Sequence, residues 1–487
     1  MNEVATPATM PATARRVPFV LGGRRIESTS GADVVVQTPS GEVCFPAFEE
    51  SALLEIDCFE RQMLADVPLQ EILSFLNRVG KHWKSEEYSR RRIYIRQLQE
   101  LLGYSPQAAA AEADRIGILL TAHARMYDIV AAELGSRFIL DEWIAREEAW
   151  VRAFPRGLSV HVLPGNVPLS GVISIVRALV TKNVCIAKAA SADPITPSAL
   201  ALSFLDVDPA HPVARATSAV YWRPSDPAAI QLVSQADSVC AWGGQEAISW
   251  ARRHAGDDVP VLSFGPKRSV ALVGRDADIV AAARGIAHDV VLYDQRACFS
   301  TQRVFAEGDT SRLVEGLRDE LDEHCRLIGP ASQSDDELAR VQLARLEDTF
   351  HGAVLESGEH WTIVVQRCPP DASEHPLGRV LYVHPVESLK EAYSFIGPDV
   401  QTVSVAPWAI LSQHRDALAR CGASRLVEPG LSNLFRIGAT HDAVNPLQAL
   451  VRMVAVEAPA AVHGKGMVVA VNQTELLKAG NLKDLVL

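Results

Sequence analysis

Residues 158–191 read LSVHVLPGNVPLSGVISIVRALVTKNVCIAKAAS. Two short apolar runs, Leu158–Leu163 and Val184–Lys188, flank a segment of helical length, Ser170–Thr181. Two parallel strands need a connection of about a dozen residues or more, usually a helix. The stretch therefore predicts a strand, a helix and a second strand that belong to one parallel sheet.

The same alternation continues on the C-terminal side. Short β-rich runs and helix-length segments follow one another as far as Phe264, and a second series begins near Ser269 and reaches about Ile410. Such alternation favours parallel sheets covered by helices, and these bind ligands at the carboxyl ends of their strands. We expect the boundary between two such domains to lie close to Gly265.

The N-terminal side follows other patterns. From about Leu69 to Phe154 the apolar residues have helical spacing, so we expect a helical region. Before it, Val17–Leu21, Val34–Gln37 and Glu42–Phe45 have the pattern of short strands separated by glycine turns. The sequence does not indicate which strands these three pair with.

Charge and cysteine content exclude several classes of protein. The chain has 487 residues and a net charge of −12, from 47 Lys and Arg against 59 Asp and Glu, which argues against a nucleic-acid or anionic-lipid binder. The eight cysteines include no CxxC pair, so we expect neither a metal site nor a disulfide framework. We find no apolar run long enough to span a membrane and expect a cytoplasmic protein.

The turn after the first strand carries a candidate catalytic amide. Asn166 stands between Pro164 and Pro168, which restrict the backbone around it. A fixed amide N–H is what an oxyanion intermediate needs. The alternative is that Asn166 only satisfies the hydrogen bonds of its own turn.

Two further segments could contact a nucleotide. Lys188 ends a predicted strand, where a lysine can reach a ribose or phosphate, or can simply be solvated. Gly243 and Gly244 join a strand to a helix, which lets a backbone approach a pyrophosphate near a helix N-terminus. An ordinary strand-to-helix turn is the alternative for the two glycines.

Cys298 is the candidate nucleophile. It lies in a polar segment between a predicted helix and a predicted strand, with Arg296 and Arg303 close by in sequence. Positive charge and an oriented helix end would favour the thiolate. Many half-buried cysteines are inert, which is the alternative here, and Cys185 and Cys240 lie in apolar strands and are interpreted as core residues.

Taken together, these segments resemble the aldehyde dehydrogenase superfamily and, within it, the LuxC-type long-chain fatty acyl-CoA reductases. The likeness covers roughly residues 70–455, and its motifs occur in the superfamily's order. The matching segments are Pro164–Leu169 for the Pro-x-Asn-x-Pro-Leu turn, Lys182–Lys188 for the Gly-Asn-x-x-x-x-Lys strand, Trp242–Gly244 for the Thr-Gly-Ser cofactor turn, Ser263–Lys267 for the Glu-Leu-Gly-Gly-Lys segment and Cys298–Arg303 for the Cys-x4-Arg segment.

The resemblance implies an α/β fold of the aldehyde dehydrogenase type. It divides the chain into an N-terminal extension with short strands (1–65), a helical region with a Rossmann-like cofactor domain (66–265) and an α/β catalytic domain that carries the nucleophilic cysteine (266–435). The remaining residues (436–487) form a C-terminal return and an oligomerisation arm. A homodimer or homotetramer is implied.

The same resemblance assigns roles to individual residues. It makes Cys298 the nucleophile and Asn166 the oxyanion donor. It places Lys188 against the cofactor ribose or phosphate, and Gly243 and Gly244 against the pyrophosphate. Glu374 stands where the superfamily often has a glutamate near the nicotinamide ribose. His441, followed by Asp442, resembles a late His-Asp element of LuxC-type chains that could orient substrate or move a proton; a histidine at a helix start beside an N-capping aspartate is the alternative.

Two departures from the superfamily pattern are informative. Ser263 stands where hydrolytic members have a water-activating glutamate, and a serine is a poor base near neutral pH. Ser191 stands where NAD-preferring members have a ribose-binding glutamate, and its absence favours a 2′-phosphate. We therefore expect NADPH as the cofactor, with Lys188 and Arg223 as phosphate partners.

The function predicted from these residues is NADPH-dependent reduction of a fatty acyl-CoA or acyl thioester to the aldehyde, through an acyl-cysteine on Cys298. An NAD(P)-dependent dehydrogenase that oxidises an aldehyde to an acid or to an acyl-CoA is the first alternative, and Ser263 argues against oxidation to the acid. A non-catalytic acyl-binding protein is the second, and Asn166 together with Cys298 argues against it. LuxC-type enzymes commonly work with an acyl-protein synthetase, so the donor could be an acyl-protein.

Overall fold

The computed structural model describes residues 14–29, 31–147, 149–308, 310–366 and 375–457. The first elements are short, and the three predicted strands are present within them. The chain begins with β1 (Arg15–Arg16), β2 (Phe19–Leu21), β3 (Arg24–Ile26), β4 (Val34–Thr38), β5 (Gly41–Phe45) and α1 (Glu50–Asp57). Strands β1, β5 and β4 form a small sheet of their own in that order.

The helical region follows, and its apolar stripes face inward. Its elements are α2 (Leu69–Trp83), α3 (Ser89–Leu102), α4 (Pro106–Leu120), α5 (His123–Leu134), β6 (Ile144–Ala145) and β7 (Ala149–Pro155). The prediction of helix as far as Phe154 is wrong for β7. This strand pairs along its length with residues 451–457, which lie far away in sequence, so local spacing carried no sign of it.

The quoted stretch forms the centre of the first large sheet. The elements are β8 (Leu158–Val162), α6 (Pro168–Val180), β9 (Val184–Lys188), α7 (Thr196–Val207), α8 (Pro212–Arg215), β10 (Thr217–Val220), α9 (Pro227–Ser234), β11 (Ser238–Trp242), α10 (Gln245–His254) and β12 (Val261–Phe264). The sheet order is β12-β11-β8-β9-β10-β2-β3, and the first five of these strands are parallel. Strand β2 pairs antiparallel with β10, so two N-terminal strands, β2 and β3, complete this sheet.

The second large sheet begins immediately after Gly265. Its elements are β13 (Arg268–Val273), α11 (Ile279–Val291), β14 (Thr301–Glu307), α12 (Ser311–Ile328), α13 (Asp335–Phe350), β15 (Val354–Ser357), β16 (Thr362–Val365), β17 (Val380–Val386), β18 (Val400–Ala406), α14 (Leu411–Cys421) and β19 (Arg425–Val427). The order is β15-β16-β17-β14-β13-β18-β19, and only β15 is antiparallel to its neighbour. The predicted α/β architecture is therefore present in both halves of the chain.

The last described strand pairs with a strand from much earlier in the chain. Helix α15 (Pro446–Ala449) leads into β20 (Val451–Glu457), which pairs with β7 in a three-stranded sheet, β20-β7-β6. This sheet leaves Trp150, Met453 and Val456 40–49% exposed. Among the helices of the described residues, none combines the length and the apolar character needed to cross a bilayer.

Candidate active site

A cleft of about 830 Å³ lies between the two large sheets, at the carboxyl ends of β8, β11 and β12. It brings together five of the residues singled out from the sequence: Asn166, Gly243, Gly244, Cys298 and His441. This is the edge at which an open parallel sheet binds its ligand.

Cys298 sits in a tight loop between α11 and β14. The residues just before it, Leu292–Gln295, form a tight turn, and three of them in succession have left-handed backbone angles, with φ of 60° at Tyr293, 51° at Asp294 and 61° at Gln295. Non-glycine residues adopt this region at a cost, so surrounding contacts must hold the loop.

Each strained residue is held by its side chain. The Tyr293 hydroxyl donates to the buried Glu112 carboxylate at 2.8 Å, and Gln295 Nε2 donates to two backbone carbonyls at 2.8 and 2.9 Å. Asp294 forms a buried ion pair with Arg379, with 2.6 Å between Oδ1 and Nε. Sequence reasoning missed these anchors, because their partners Glu112 and Arg379 belong to no motif near Cys298.

The resting cleft favours the thiol of Cys298 over the thiolate. Burial and the nearby Asp442 charge raise the pKa of this cysteine to about 12, although hydrogen bonds from Gln401 and from backbone N–H groups work in the opposite direction. The expectation that neighbouring arginines favour the thiolate is wrong. Arg296 pairs with Glu337 at 3.1 Å, and the guanidinium of Arg303 lies over the Tyr382 ring.

Asn166 is physically tied to the cysteine loop. Its Nδ2 donates to the backbone carbonyl of Arg296 at 2.7 Å, two residues before Cys298. The side chain is exposed to the cleft, while the next residue, Val167, is buried against the loop. The turn thus holds an amide group beside the sulfur-bearing segment, and the bond to Arg296 is more than a local turn interaction.

The two glycines form an open cradle at the start of α10. Gly243 has a φ of +135°, which favours glycine, and a Cβ added at Gly244 would meet no atom within 4 Å. The backbone is therefore accessible from the cleft at a helix N-terminus, where its N–H groups can donate to phosphate oxygens. This observation fits a dinucleotide cofactor.

Comparison with known proteins decides the family. The family model described as acyl-CoA reductase (LuxC) matches residues 64–453. The chain belongs to the acyl-CoA reductase (LuxC) family. It is 41% identical over 473 residues to a long-chain acyl-protein thioester reductase of Photorhabdus luminescens, covering 95% of this chain and 98% of the relative. It is 45% identical over 417 residues to the protein of the same name from Aliivibrio fischeri, covering 84% and 87%.

Solved structures confirm the fold. An NAD-dependent aldehyde dehydrogenase from Sinorhizobium meliloti has a TM-score of 0.71 at 16% identity, covering 92% of this chain and 95% of that one. An NADP-dependent glyceraldehyde-3-phosphate dehydrogenase from Bacillus halodurans has a TM-score of 0.68 at 17% identity, covering 91% and 99%. The predicted LuxC family, oxidoreductase class and aldehyde dehydrogenase fold are thus confirmed.

The other predicted cofactor residues of this LuxC-family chain lie at or just after the ends of β9 and β10. Lys188 ends β9, with its Nζ 5.0 Å from the centroid of the Tyr221 ring, and burial lowers its pKa to about 8. Ser191 hydrogen-bonds the Tyr221 hydroxyl at 3.0 Å, and Arg223 is exposed just after β10. None of these three predicted residues lines the cleft itself, and Glu374 lies outside the described residues.

Ser263 and His441 differ from what their motifs suggest. The Ser263 hydroxyl accepts a hydrogen bond from Arg252 at 2.8 Å, so this position points to α10 and does not line the cleft. His441 stacks on Phe435, with 4.7 Å between ring centroids, and burial lowers its pKa to about 3. Its ring is therefore neutral at physiological pH. No helix starts at His441, which instead forms a tight turn with Val444.

A second, mostly apolar cavity of about 240 Å³ meets the main cleft at the cysteine loop. The two spaces share three lining residues, Tyr104, Asn166 and Arg296. The second cavity runs between α4 and the end of α12, where Ala108, Ala111, Leu327 and Ile328 line it. It offers an apolar space beside the loop that carries Cys298, and neither glycine of the cradle lines it.

Proposed function

We propose that this chain reduces a long-chain fatty acyl thioester to the aldehyde, with Cys298 as the residue that carries the acyl group. One observation carries the proposal: the Asn166 amide is bonded to the Cys298 loop at Arg296, and these two residues line the junction between the apolar cavity and the glycine-lined cleft, which Cys298 also lines. The relatives named long-chain acyl-protein thioester reductase support the substrate class.

The residues of the chain perform the acyl transfer. The Cys298 sulfur attacks the thioester carbonyl, and the oxygen becomes an oxyanion. Asn166 has two N–H hydrogens on Nδ2 and uses one for Arg296, so the other is the donor we assign to the oxyanion, together with the Cys298 backbone N–H. Departure of the donor thiolate leaves the acyl group on Cys298. The apolar cavity beside the loop accommodates the acyl chain.

The cofactor we propose is NADPH. When bound, it supplies the hydride that reduces the acyl thioester. Gly243 and Gly244 would hold the pyrophosphate and Lys188 the 2′-phosphate of the ribose, with Ser191 leaving room for that phosphate and Arg223 as a second cation. Glu374 and His441 stay predictions for the nicotinamide ribose and for substrate orientation.

Oxidation of an aldehyde to an acid is disfavoured by the site. It requires a base that activates water against the acyl-cysteine. The position that holds this base in hydrolytic aldehyde dehydrogenases is Ser263, and its hydroxyl faces Arg252 and not the cleft. An acyl group on Cys298 should therefore persist until it is reduced.

The acyl donor and the oligomeric state of the chain are also proposed. The acyl group arrives as an acyl-CoA or on a protein, and an acyl-protein synthetase is the partner that would load such a protein. A second copy of the chain would cover Trp150, Met453 and Val456 on the β20-β7-β6 sheet, giving a homodimer or a homotetramer.

The test is optical. Purified protein is mixed with acyl-CoAs of increasing chain length, and oxidation of NADPH and of NADH is followed together with release of free thiol. Cofactor oxidation matched one-to-one by release of free thiol supports the proposal. The same data give the preferred acyl chain length and the preferred cofactor. If neither cofactor is consumed with any acyl-CoA or with an acyl-protein, the proposal is contradicted.

Asn166→Ala is expected to lower kcat for thioester reduction by about 10²–10³-fold, because one oxyanion donor is lost. Cofactor affinity should change less than twofold, since Asn166 lies at the cysteine loop and not at the glycine cradle. Steady-state kinetics and a fluorescence titration of NADPH measure the two effects. Unchanged kcat would exclude Asn166 from the oxyanion site.

NADPH affinity is expected to fall as the pH rises through about 8. Burial lowers the pKa of Lys188 to about 8, so this side chain is charged below that pH and neutral above it. Only the charged form attracts a 2′-phosphate. Titrations at pH 7 and pH 9 should show this loss for NADPH but not for NADH, and Lys188→Met should remove the difference between the two pH values. A pH-independent NADPH affinity in the unaltered protein would contradict the assignment.

A further inference from the structure

A strained turn carries a carboxylate into the cleft. His441 and Val444 exchange two backbone hydrogen bonds, of 2.9 and 3.0 Å, and the residues between them have left-handed angles, with φ of 50° at Asp442 and 63° at Ala443. Turns with two such residues favour glycine, asparagine and aspartate. Asp442 occupies the first of these positions, and its side chain lines the cleft.

Gln401 on β18 connects this carboxylate with the nucleophile. Its Nε2 donates to Asp442 Oδ1 at 2.6 Å. The adjacent Thr402 is tied to Cys298 through Ser269, whose Oγ accepts from the Thr402 N–H at 3.2 Å and donates to the Cys298 carbonyl at 2.7 Å. Gln401 is buried, and its Oε1 has no partner among the described residues. Asp442 and Cys298 line the same cleft.

The charges around Asp442 and Cys298 favour the state in which the two side chains hold one proton between them. Burial raises the pKa of Asp442, whereas Gln401, Lys267 and Arg177 favour its carboxylate. In its thiolate form, Cys298 is repelled by the charge of Asp442 and attracted by the opposite charge of Arg425. Two adjacent anions in a partly desolvated cleft are unfavourable, so ionisation of one group favours protonation of the other.

We propose that Asp442 is the proton shuttle for acyl transfer to Cys298, and that Gln401 is its positioning residue. As the Cys298 sulfur bonds to the acyl carbon, the S–H bond breaks and the proton passes to the Asp442 carboxylate. As the bond between the acyl carbon and the donor sulfur breaks, Asp442 returns the proton to the departing thiolate. The acyl group has then changed sulfurs, with no net gain or loss of protons.

This inference rests on the proposed function and assigns a base that the motifs do not provide. The serine at position 263 faces Arg252. Within the described residues, the carboxylates that line the cleft are Glu337, Asp399 and Asp442, and the first two pair with Arg296 and Arg268. Asp442 is the one that accepts from Gln401, on the strand segment tied to the Cys298 loop.

The test uses Asp442→Asn in the full-length protein and measures two rates. Asparagine tolerates the left-handed turn and keeps an oxygen that accepts from Gln401, so the variant retains the local geometry. The first rate is alkylation of Cys298 by iodoacetamide at pH 8 without substrate, resolved by peptide mass spectrometry with the exposed Cys58 as internal standard. The second is the burst of free thiol released from palmitoyl-CoA without cofactor.

The shuttle predicts opposite changes. Alkylation should rise at least about threefold, because loss of the Asp442 charge makes the open cleft more favourable for the thiolate. The thiol burst should slow by about 100-fold or more, because the proton has lost its local acceptor and donor. Gln401→Leu should lower both rates, since the thiolate loses a hydrogen bond and Asp442 loses its support. Ala443→Gly, in the same turn, is the control and should change neither rate.

Any other pattern for Asp442→Asn overturns the shuttle. A fall in both rates indicates structural damage, a rise in both indicates only an electrostatic effect on the thiol, and no change indicates no role. If the unaltered protein releases no thiol from palmitoyl-CoA or from an acyl-protein, the proposed function itself fails. If it releases thiol and Asp442→Asn does so equally fast, only the shuttle fails.

Discussion

Cys298→Ala is expected to reduce aldehyde formation by at least about 10⁴-fold, because the variant lacks the sulfur that takes the acyl group. Within the described residues, Cys298 is the cysteine that lines this cleft. NADPH affinity should change less than twofold, since the sulfur lies away from the glycine cradle. Aldehyde production and a cofactor titration on the same preparation check both parts.

Cys421→Ala is the matched control for this variant. Cys421 is another partly exposed free cysteine, but it lies at the end of α14, outside the cleft. Its replacement should leave turnover within twofold of the unaltered protein. Substantial turnover by Cys298→Ala would rule out a covalent acyl-cysteine and require direct reduction of the bound thioester.

Arg379→Met is expected to have the largest effect on stability, about 3–5 kcal/mol, because it leaves the Asp294 carboxylate buried without its charge partner. The side chains of Arg379 and Asp294 are 2% and 11% exposed, with 2.6 Å between their charged atoms. Asp294 is also the middle residue of the left-handed run that positions Cys298. Equilibrium urea unfolding should show a clear shift of the midpoint, and kcat should fall more than cofactor affinity.

The double variant Arg379→Met/Asp294→Asn separates the lost ion pair from lost packing, and asparagine tolerates the left-handed angles of this position. With both charges removed, no unpaired charge stays buried, and most of the stability should return. The kcat should stay low, because the asparagine no longer anchors the loop through an ion pair. A single variant as stable as the unaltered protein would show that solvent reaches this ion pair.

Much of the fold could be predicted because its signals are local. The β8-α6-β9 unit, the following strands and the start of the second sheet after Gly265 all arise from apolar runs and turns of a few residues. Asn166 and the glycine pair stand directly at strand ends, where a parallel sheet collects its ligand contacts. Their meeting with Cys298 in one cleft follows from that topology.

The parts that sequence reasoning missed depend on distant contacts. Strand β7 looked helical because its partner, β20, lies at the other end of the described chain. The thiol state of Cys298 could not be predicted from its neighbours, because Arg296 is engaged by Glu337 and the dominant influences are burial and Asp442. The roles of Gln401 and Asp442 emerge only when their strand and turn are brought together.

The most direct test of the account is the intact mass of the protein after mixing with palmitoyl-CoA in the absence of cofactor. We predict a single added palmitoyl group, located on Cys298 by peptide mapping, removed by hydroxylamine and released as the aldehyde when NADPH is added. If no adduct forms with palmitoyl-CoA or with an acyl-protein donor while aldehyde is still produced, or if the adduct lies on another residue, the acyl-cysteine account is contradicted.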